Sequence, residues 1–243
     1  MNVSKLMRSL AAKTNPNDSA QWLPLWMHAR DTAGIMEKLW KHWLPVAVRR
    51  EICGGSEETL QENEALFQKV CVFLGMAHDI GKATAVFQAR ILEMLPEVRE
   101  RLAEEGLVAP LADRANPAPW HPSAVAHALA GQVILQQRGM NEGICEIVGA
   151  HHGKPQEAVS ESTFDGHLVN FRGKDSDAPL WAEIWDTFLR YALEVSGIQD
   201  ASIIPELSGP QRVLLSGLLV MADWVASNQF YHPTISIDEL GRE

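Results

Sequence analysis

The sharpest local feature of the chain is Gly75-Met76-Ala77-His78-Asp79-Ile80-Gly81-Lys82. An apolar run delivers a histidine and a carboxylate side by side, and a glycine and a lysine follow. Two chemistries are conceivable for such a segment: phosphate binding by a glycine-rich loop, or metal binding by the His-Asp pair. The phosphate loop has the pattern G-x-x-x-x-G-K-[S/T], because its backbone nest depends on that spacing. Here five residues separate Gly75 from Gly81, and Ala83 follows Lys82. The loop is excluded, and metal remains.

The rest of the histidine inventory strengthens the metal reading. His151-His152 ends a second apolar run, and His127 lies among Ala, Leu and Val. Asp223 lies between Met221-Ala222 and Trp224-Val225, in the most apolar stretch of the chain. A buried carboxylate without a partner costs several kcal/mol, and a cation is the economical partner. Taken singly, a histidine on an apolar helix is ordinarily a satisfied core residue. Asp223 alone could equally pair with an arginine or cap a neighbouring helix. A His-Asp pair, a His-His pair, an isolated apolar-helix histidine and a buried Asp together call for one shared polyvalent site. His42, His121, His167 and His232 lie near aromatics, in a Pro-rich loop, in a polar loop and beside Pro233, and carry no such argument.

The elements that must position these residues are helical. Ala65 to Ala77 spaces Leu66, Phe67, Val70, Cys71, Phe73 and Leu74 at three- and four-residue steps, one broad apolar face leading into His78 and stopped by Gly81. Further helices are predicted over Ser123 to Arg138, Glu142 to His151 and Leu180 to Val195. Gln211 to Ser227 is apolar almost all round and is expected to be a central buried helix. Thr234 to Ile237 and Leu168 to Phe171 could be edge strands or loops. Gly106 to Pro122 and Lys154 to Pro179 read as long loops. The expected fold class is all-α, one globular helical domain.

Composition bounds the function. The 243 residues are enough for one large domain, and 46% apolar content excludes wholesale disorder. Lys and Arg number 21 against 31 Asp and Glu, a net charge of −10, which argues against a general duplex-DNA coat protein. It leaves room for nucleic acid at one local metal-bearing cleft. Val213 to Ala226 is interrupted by Ser216, Gly217 and Asp223, so no membrane span is expected. No secretory signal is visible, and Cys53, Cys71 and Cys145, an odd set without a CxxC, suit buried reduced thiols in the cytoplasm.

His78-Asp79 with Gly81-Lys82 resembles the defining motif of the HD superfamily of metal-dependent phosphohydrolases. The wider set resembles one branch of it, the HD nuclease domain of the CRISPR-associated type I interference helicase–nuclease. The pieces occur in order: His28 in MHARDTAGI, HDIGKATAVFQ from His78 to Gln88, His127 in HALAG, AHHG from Ala150 to Gly153, and MADWVASN from Met221 to Asn228. They run from about Trp22 to Asn228, in a chain expected to be one HD nuclease domain over residues 1–243. No helicase domain is expected within it, because no valid P-loop occurs; it would be a separate subunit or part of a longer chain.

The resemblance implies two divalent ions. One would be held by His28, His78, Asp79 and Asp223. The other would be held by Asp79, His127, His151 and His152, with Asp79 bridging. His121 is the competitor of His127, which fits the H-x-x-x-G of HALAG. Imidazole and carboxylate without thiolate suit Mn²⁺, Fe²⁺, Co²⁺ or Ni²⁺. Two such ions can activate a bridging water against a phosphodiester. Asp79 and Lys82 are the expected catalytic residues, with Lys82 neutralising a phosphate oxygen. Gln88, Lys154 and Asn228, together with Phe87, Arg90 and Trp120, are the expected substrate contacts.

The function implied is hydrolysis of single-stranded DNA in CRISPR interference, partnered by a helicase domain or subunit and an RNA-guided surveillance complex. Two other readings stand beside it. One is a nucleotide or cyclic-dinucleotide phosphohydrolase, although Gly153-Lys154-Pro155 replaces the Gly-Tyr-Pro of the cyclic-dinucleotide branch. The other is a non-catalytic adaptor that docks on a helicase or surveillance complex.

Overall fold

A computed structural model describes residues 4–15, 17–55, 59–107, 125–155, 161–236 and 239. A short helix α1 (Lys5–Arg8) leads into an antiparallel hairpin of β1 (Ala11–Asn15) and β2 (Asp18–Pro24). Helix α2 (Leu25–Lys38) follows and continues as a π-helical turn over Leu39–Trp43. Next come α3 (Val46–Cys53), α4 (Leu60–Ala77), α5 (Ala85–Ile91) and α6 (Pro96–Glu104). The second half holds α7 (His127–Gln137), α8 (Glu142–Gly149), α9 (Glu161–Gly166), α10 (Leu168–Arg172), α11 (Ala178–Ser196) and α12 (Gly209–Ala226). A two-residue strand β3 (Ile235–Ser236) pairs antiparallel with β2 and completes a small sheet of order β1-β2-β3.

The fold is thus helical, as expected, with a sheet at one side. The 235–236 segment is an edge strand, whereas Leu168 to Phe171 is helix. The stretch read as a loop from Lys154 to Pro179 contains α9, α10 and the start of α11. The Gly106 to Pro122 loop falls mostly on residues outside the described ones, as do His121 and Trp120.

Helix α4 is the axis of the molecule. Its apolar face buries Phe67, Val70, Cys71, Phe73 and Leu74, and α2, α3, α11 and α12 pack on it. The crossing with α2 is close because Gly75 has no side chain: a Cβ there would fall 2.6 Å from Ala33 Cα. Ala29 and Ala33 supply the matching small surface on α2.

Helix α12 departs from the expected central position. It buries Leu215, Leu218, Leu219, Ala222 and Ala226 against its neighbours, but Val213, Trp224 and Val225 are exposed. An apolar pattern running round a helix here means one core face and one uncovered face. Among the described residues no single helix is long and apolar enough to cross a membrane.

Candidate metal centre

The His-Asp pair occupies the turn that ends α4. His78 caps the helix, its N–H donating to Leu74 O at 2.9 Å, and a single 3-10 turn over Ile80–Lys82 follows. Gly81 does more than stop the helix. A Cβ at Gly81 would lie 1.9 Å from the His127 carbonyl oxygen and 2.4 Å from Gly131 N. The missing side chain lets the turn seat on the first residues of α7, which brings His127 against Asp79. Gly75 does the equivalent for α2 and His28. The two glycines flanking the His-Asp pair are therefore what allow two further helices to reach it.

Asp79 is the centre of the arrangement. Its Oδ2 faces His28 Nε2 at 3.2 Å and His78 Nε2 at 3.4 Å. Its Oδ1 faces His127 Nε2 and His151 Nε2, each at 3.5 Å. Asp223, from α12, adds Oδ1 to the first set, 3.2 Å from His28 Nε2 and 3.6 Å from His78 Nε2. His152 joins the second set, its Nε2 standing 2.7 Å from that of His127. His28, His78 and Asp223 offer ligand atoms within 4.8 Å of one another, and so do His127, His151 and His152. All seven expected ligand residues thus converge in space.

The ring orientations suit metal ligation. His78 Nδ1 lies 2.8 Å from Gly75 O, and His151 Nδ1 lies 2.6 Å from Val148 O. A carbonyl only accepts, so each Nδ1 carries a proton and each Nε2 is left facing the centre as the atom that can ligate. The Nε2 atoms of His28, His78 and His151 are buried without a hydrogen-bond partner. Buried polar nitrogens are rarely left so, and a cation in each set would satisfy them. The donor set, five imidazoles and two carboxylates with no thiolate, therefore fits a divalent transition metal.

Electrostatics follow from the same packing. Burial works against ionising Asp79, but Lys82, His78, His151 and His28 outweigh it and hold the carboxyl well below its ordinary range. Burial likewise opposes ionised Asp223, and His28 and His78 overcome it and lower its pKa. Burial would lower His78, yet Asp79 and Asp223 raise it to about 9. Burial takes His127 down to about 3 and also lowers His152, leaving both neutral.

Exposure is uneven across the centre. His28, His78, His151 and Asp79 are buried, whereas His152 is exposed and His127 is partly so. Phe87 packs beside the partly exposed His127, its ring 5.7 Å from that of His127 and 5.8 Å from Lys82 Nζ.

The expected substrate contacts divide. Gln88 is fully buried, which removes it from any substrate surface. Its side-chain amide is consumed by backbone: Nε2 donates to Ala11 O and Lys82 O, and Oε1 accepts from Ala11 N. Lys82 is buried and ion-paired with Asp79 Oδ2 at 2.5 Å. Lys154 and Asn228 are exposed, and Asn228 Oδ1 also caps a turn by accepting from Phe230 N at 2.9 Å.

Sequence reasoning did not find Lys13 and Ser227. Lys13 Nζ donates to Ser227 Oγ, and Ser227 Oγ donates to Asp223 Oδ1 at 2.9 Å. Ser227 lies four residues after Asp223, one helical turn away, and that spacing was a usable signal. Lys13 arrives from a hairpin distant in sequence, and nothing local marks it.

The family model for the Cas3 HD domain matches residues 12–232. The chain belongs to the Cas3 HD domain family. It is 34% identical over 94% of its length to the CRISPR-associated nuclease/helicase Cas3 of Streptococcus thermophilus, of which it covers 25%. A crystal structure of the Thermus thermophilus Cas3 HD domain in the presence of Ni²⁺ is 25% identical, with a TM-score of 0.56, covering 95% of this chain and 81% of that one. A CRISPR RNA-guided surveillance complex in a pre-nicking state contains a chain matching in fold, with a TM-score of 0.61 at 20% identity over 93% of this chain and 25% of that one. The chain spans about a quarter of the length of the curated Cas3 relatives it matches.

Proposed function

We propose that this Cas3 HD domain is a divalent-metal-dependent nuclease that hydrolyses phosphodiester bonds of single-stranded DNA in CRISPR interference. The carrying observation is Asp79, which turns one oxygen to each of two separate ligand sets. His28, His78, Asp79 and Asp223 would hold one ion, and Asp79, His127, His151 and His152 a second. Bound ions would supply Lewis acidity to a water and to the phosphate.

The chain's own residues do the rest. The carbonyls of Gly75 and Val148 accept from the Nδ1 atoms of His78 and His151, which fixes both rings with Nε2 facing the centre as the ligating atom. Lys82 supplies positive charge at the centre's floor, available to a phosphate oxygen once its carboxylate partner is otherwise engaged. Lys154 and Asn228, both exposed, are the proposed contacts to the strand. Gln88 instead ties the hairpin to the Lys82 turn.

A single strand is favoured over duplex because most of the ligand side chains are buried, His152 and His127 being the more exposed of them. An extended strand can bring one phosphate to such a site, whereas the width of a duplex holds its phosphates off. The net charge of −10 agrees with contacts confined to the cleft. The helicase named in the relatives, as further domain or separate subunit, and a surveillance complex are the proposed partners. A cytoplasmic location suits three buried free cysteines.

The test is cleavage of circular single-stranded DNA with Mn²⁺, Fe²⁺, Co²⁺ and Ni²⁺ by wild type and Asp79→Ala. Metal-dependent cleavage by wild type alone is expected. Equal cleavage by both, or none by wild type with any metal, rejects the nuclease. Nucleotide or cyclic-dinucleotide turnover without DNA cleavage would assign a small-molecule phosphohydrolase.

A further inference from the structure

Each of the two carboxylates at the centre has its own lysine. Lys82 reaches Asp79 directly, and Lys13 reaches Asp223 through Ser227. The chemistry of that relay has one solution. An ammonium only donates, so Ser227 Oγ accepts from Lys13. Its single proton is then left for Asp223 Oδ1. Lys13 therefore sets the direction of the Ser227 hydroxyl, and the hydroxyl fixes the carboxylate oxygen that faces His28 and His78.

The relay answers a physical need. Asp79 Oδ2 and Asp223 Oδ1 both stand 3.2 Å from His28 Nε2, so two like charges crowd one imidazole. Lys82 neutralises one of them. His78 is shared between both carboxylates, and Lys13, through Ser227, gives Asp223 a cation of its own.

The placement of Lys13 is built. Gln88 takes both the N–H and the C=O of Ala11, at 3.0 and 2.9 Å, and its Nε2 also donates to Lys82 O at 2.8 Å. One buried amide thus ties the strand carrying Lys13 to the turn carrying Lys82. The β1–β2 register shifts between Ala11 and Lys13, and Ala11 and Ala12 are both buried. Such a bulge re-aims the side chain that follows it. Burial and the Lys82 cation lower the Lys13 pKa while Asp223 and Asp79 oppose them, which places the ammonium within the field of the centre.

We propose that Lys13 is a positioning residue of the metal centre, holding Asp223 through Ser227 in the orientation that completes the His28–His78–Asp223 set. The proposal rests on the metal-centre reading above. It assigns the N-terminal hairpin a task in building the site rather than in contacting DNA.

The test is Mn²⁺ titration of wild type, Lys13→Met, Ser227→Ala, the double variant and Lys13→Arg, followed calorimetrically, with melting curves in EDTA. Loss of an outer partner of a metal ligand typically weakens binding by about tenfold or more. Both single variants are expected to weaken one ion by that factor and leave the other unchanged. The double variant should be no worse than either single one, and Lys13→Arg should recover most of the affinity. Melting in EDTA should stay near wild type. Unchanged Mn²⁺ affinity in Lys13→Met overturns the proposal. So does equal weakening of both ions with a lowered EDTA melting temperature, which marks a merely structural lysine. Weakening in Lys13→Met but not in Ser227→Ala overturns the relay. A wild type that takes up no ion removes the metal centre itself, a distinct failure.

Discussion

Lys82 Nζ and Asp79 Oδ2 form a buried ion pair of 2.5 Å, on the same oxygen that faces His28 and His78. A metal ion at that set must share or replace what Lys82 now does. In Lys82→Met the buried carboxylate loses its cation, and breaking such a pair costs up to about 3–5 kcal/mol when the remaining charge is uncompensated. Protonated His78 compensates part of it, so a loss of about 1–3 kcal/mol is expected in EDTA. Saturating Mn²⁺ should shrink that loss, because bound metal supplies the missing charge. Denaturant melts of both proteins with and without metal measure the difference. A loss that is the same in both conditions contradicts the shared role.

The two ligand sets should be separable by mutation. Asp79→Asn changes the charge on the residue facing both sets and is expected to abolish tight binding of both ions. Asp223→Asn should cost one ion, and His152→Ala the other. Metal content after dialysis, measured by mass spectrometry, counts them. Nuclease activity should fall at least about a hundredfold in all three, if both ions are needed to stabilise attacking and leaving oxygens. Loss of both ions in His152→Ala would show that the sets are not independent.

Much of this site was legible in the sequence. The HD-I-G-K, H-A-L-A-G, H-H-G and A-D-W segments gave six of the seven converging side chains by type and context, and His28 came only with the resemblance. Asp223 was legible because a carboxylate inside an apolar helix demands a partner. The substrate role expected of Gln88 failed because a glutamine two turns beyond a metal pair reads the same whether it points outward or locks backbone. The β1–β2 hairpin went unseen although Asn15, Asn17 and Asp18 are turn residues. Its strands are short and bulged, and β1 is tied down by a distant residue, Gln88, which bonds both backbone groups of Ala11. The exposed face of α12 was missed because periodicity reports that a helix is apolar without reporting what covers it.

Protons and metal compete at His78. Its pKa in the metal-free fold is about 9 against an ordinary 6.5, since Asp79 and Asp223 more than offset the burial that would lower it. A raised folded-state pKa gives stability that is complete below pH 6.5 and is lost as pH rises through about 9. His127 has the opposite sign. Lowered to about 3 from 6.5 by burial, it favours the fold at neutral pH and costs stability as pH falls below 6.5. Metal-free protein should therefore lose stability from His78 above neutrality, while Mn²⁺ affinity rises over the same window because ligation requires the neutral ring. Melts in EDTA and Mn²⁺ titrations from pH 6.5 to 9 check both slopes. Calorimetry in buffers of different ionisation enthalpy should register proton release on binding. Metal affinity independent of pH in this range would rule the competition out.

Gly81 tests whether the site depends on backbone approach as well as on ligands. A methyl group at Gly81 would lie 1.9 Å from the His127 carbonyl oxygen, and that oxygen belongs to the first residue of α7, which cannot yield without moving the helix. Overpacking of this kind typically costs about 1–3 kcal/mol. Gly81→Ala should accordingly lower stability by that order and shift His127 away from Asp79. The set of His127, His151 and His152 should then weaken more than that of His28, His78 and Asp223. Gly75→Ala predicts the mirror result, because its methyl would press on Ala33 of α2, the helix that carries His28. Paired metal counts and EDTA melts on the two variants decide the point. If both weaken the same ion, the glycines act only through general stability, and the view that each admits one helix to the centre is wrong.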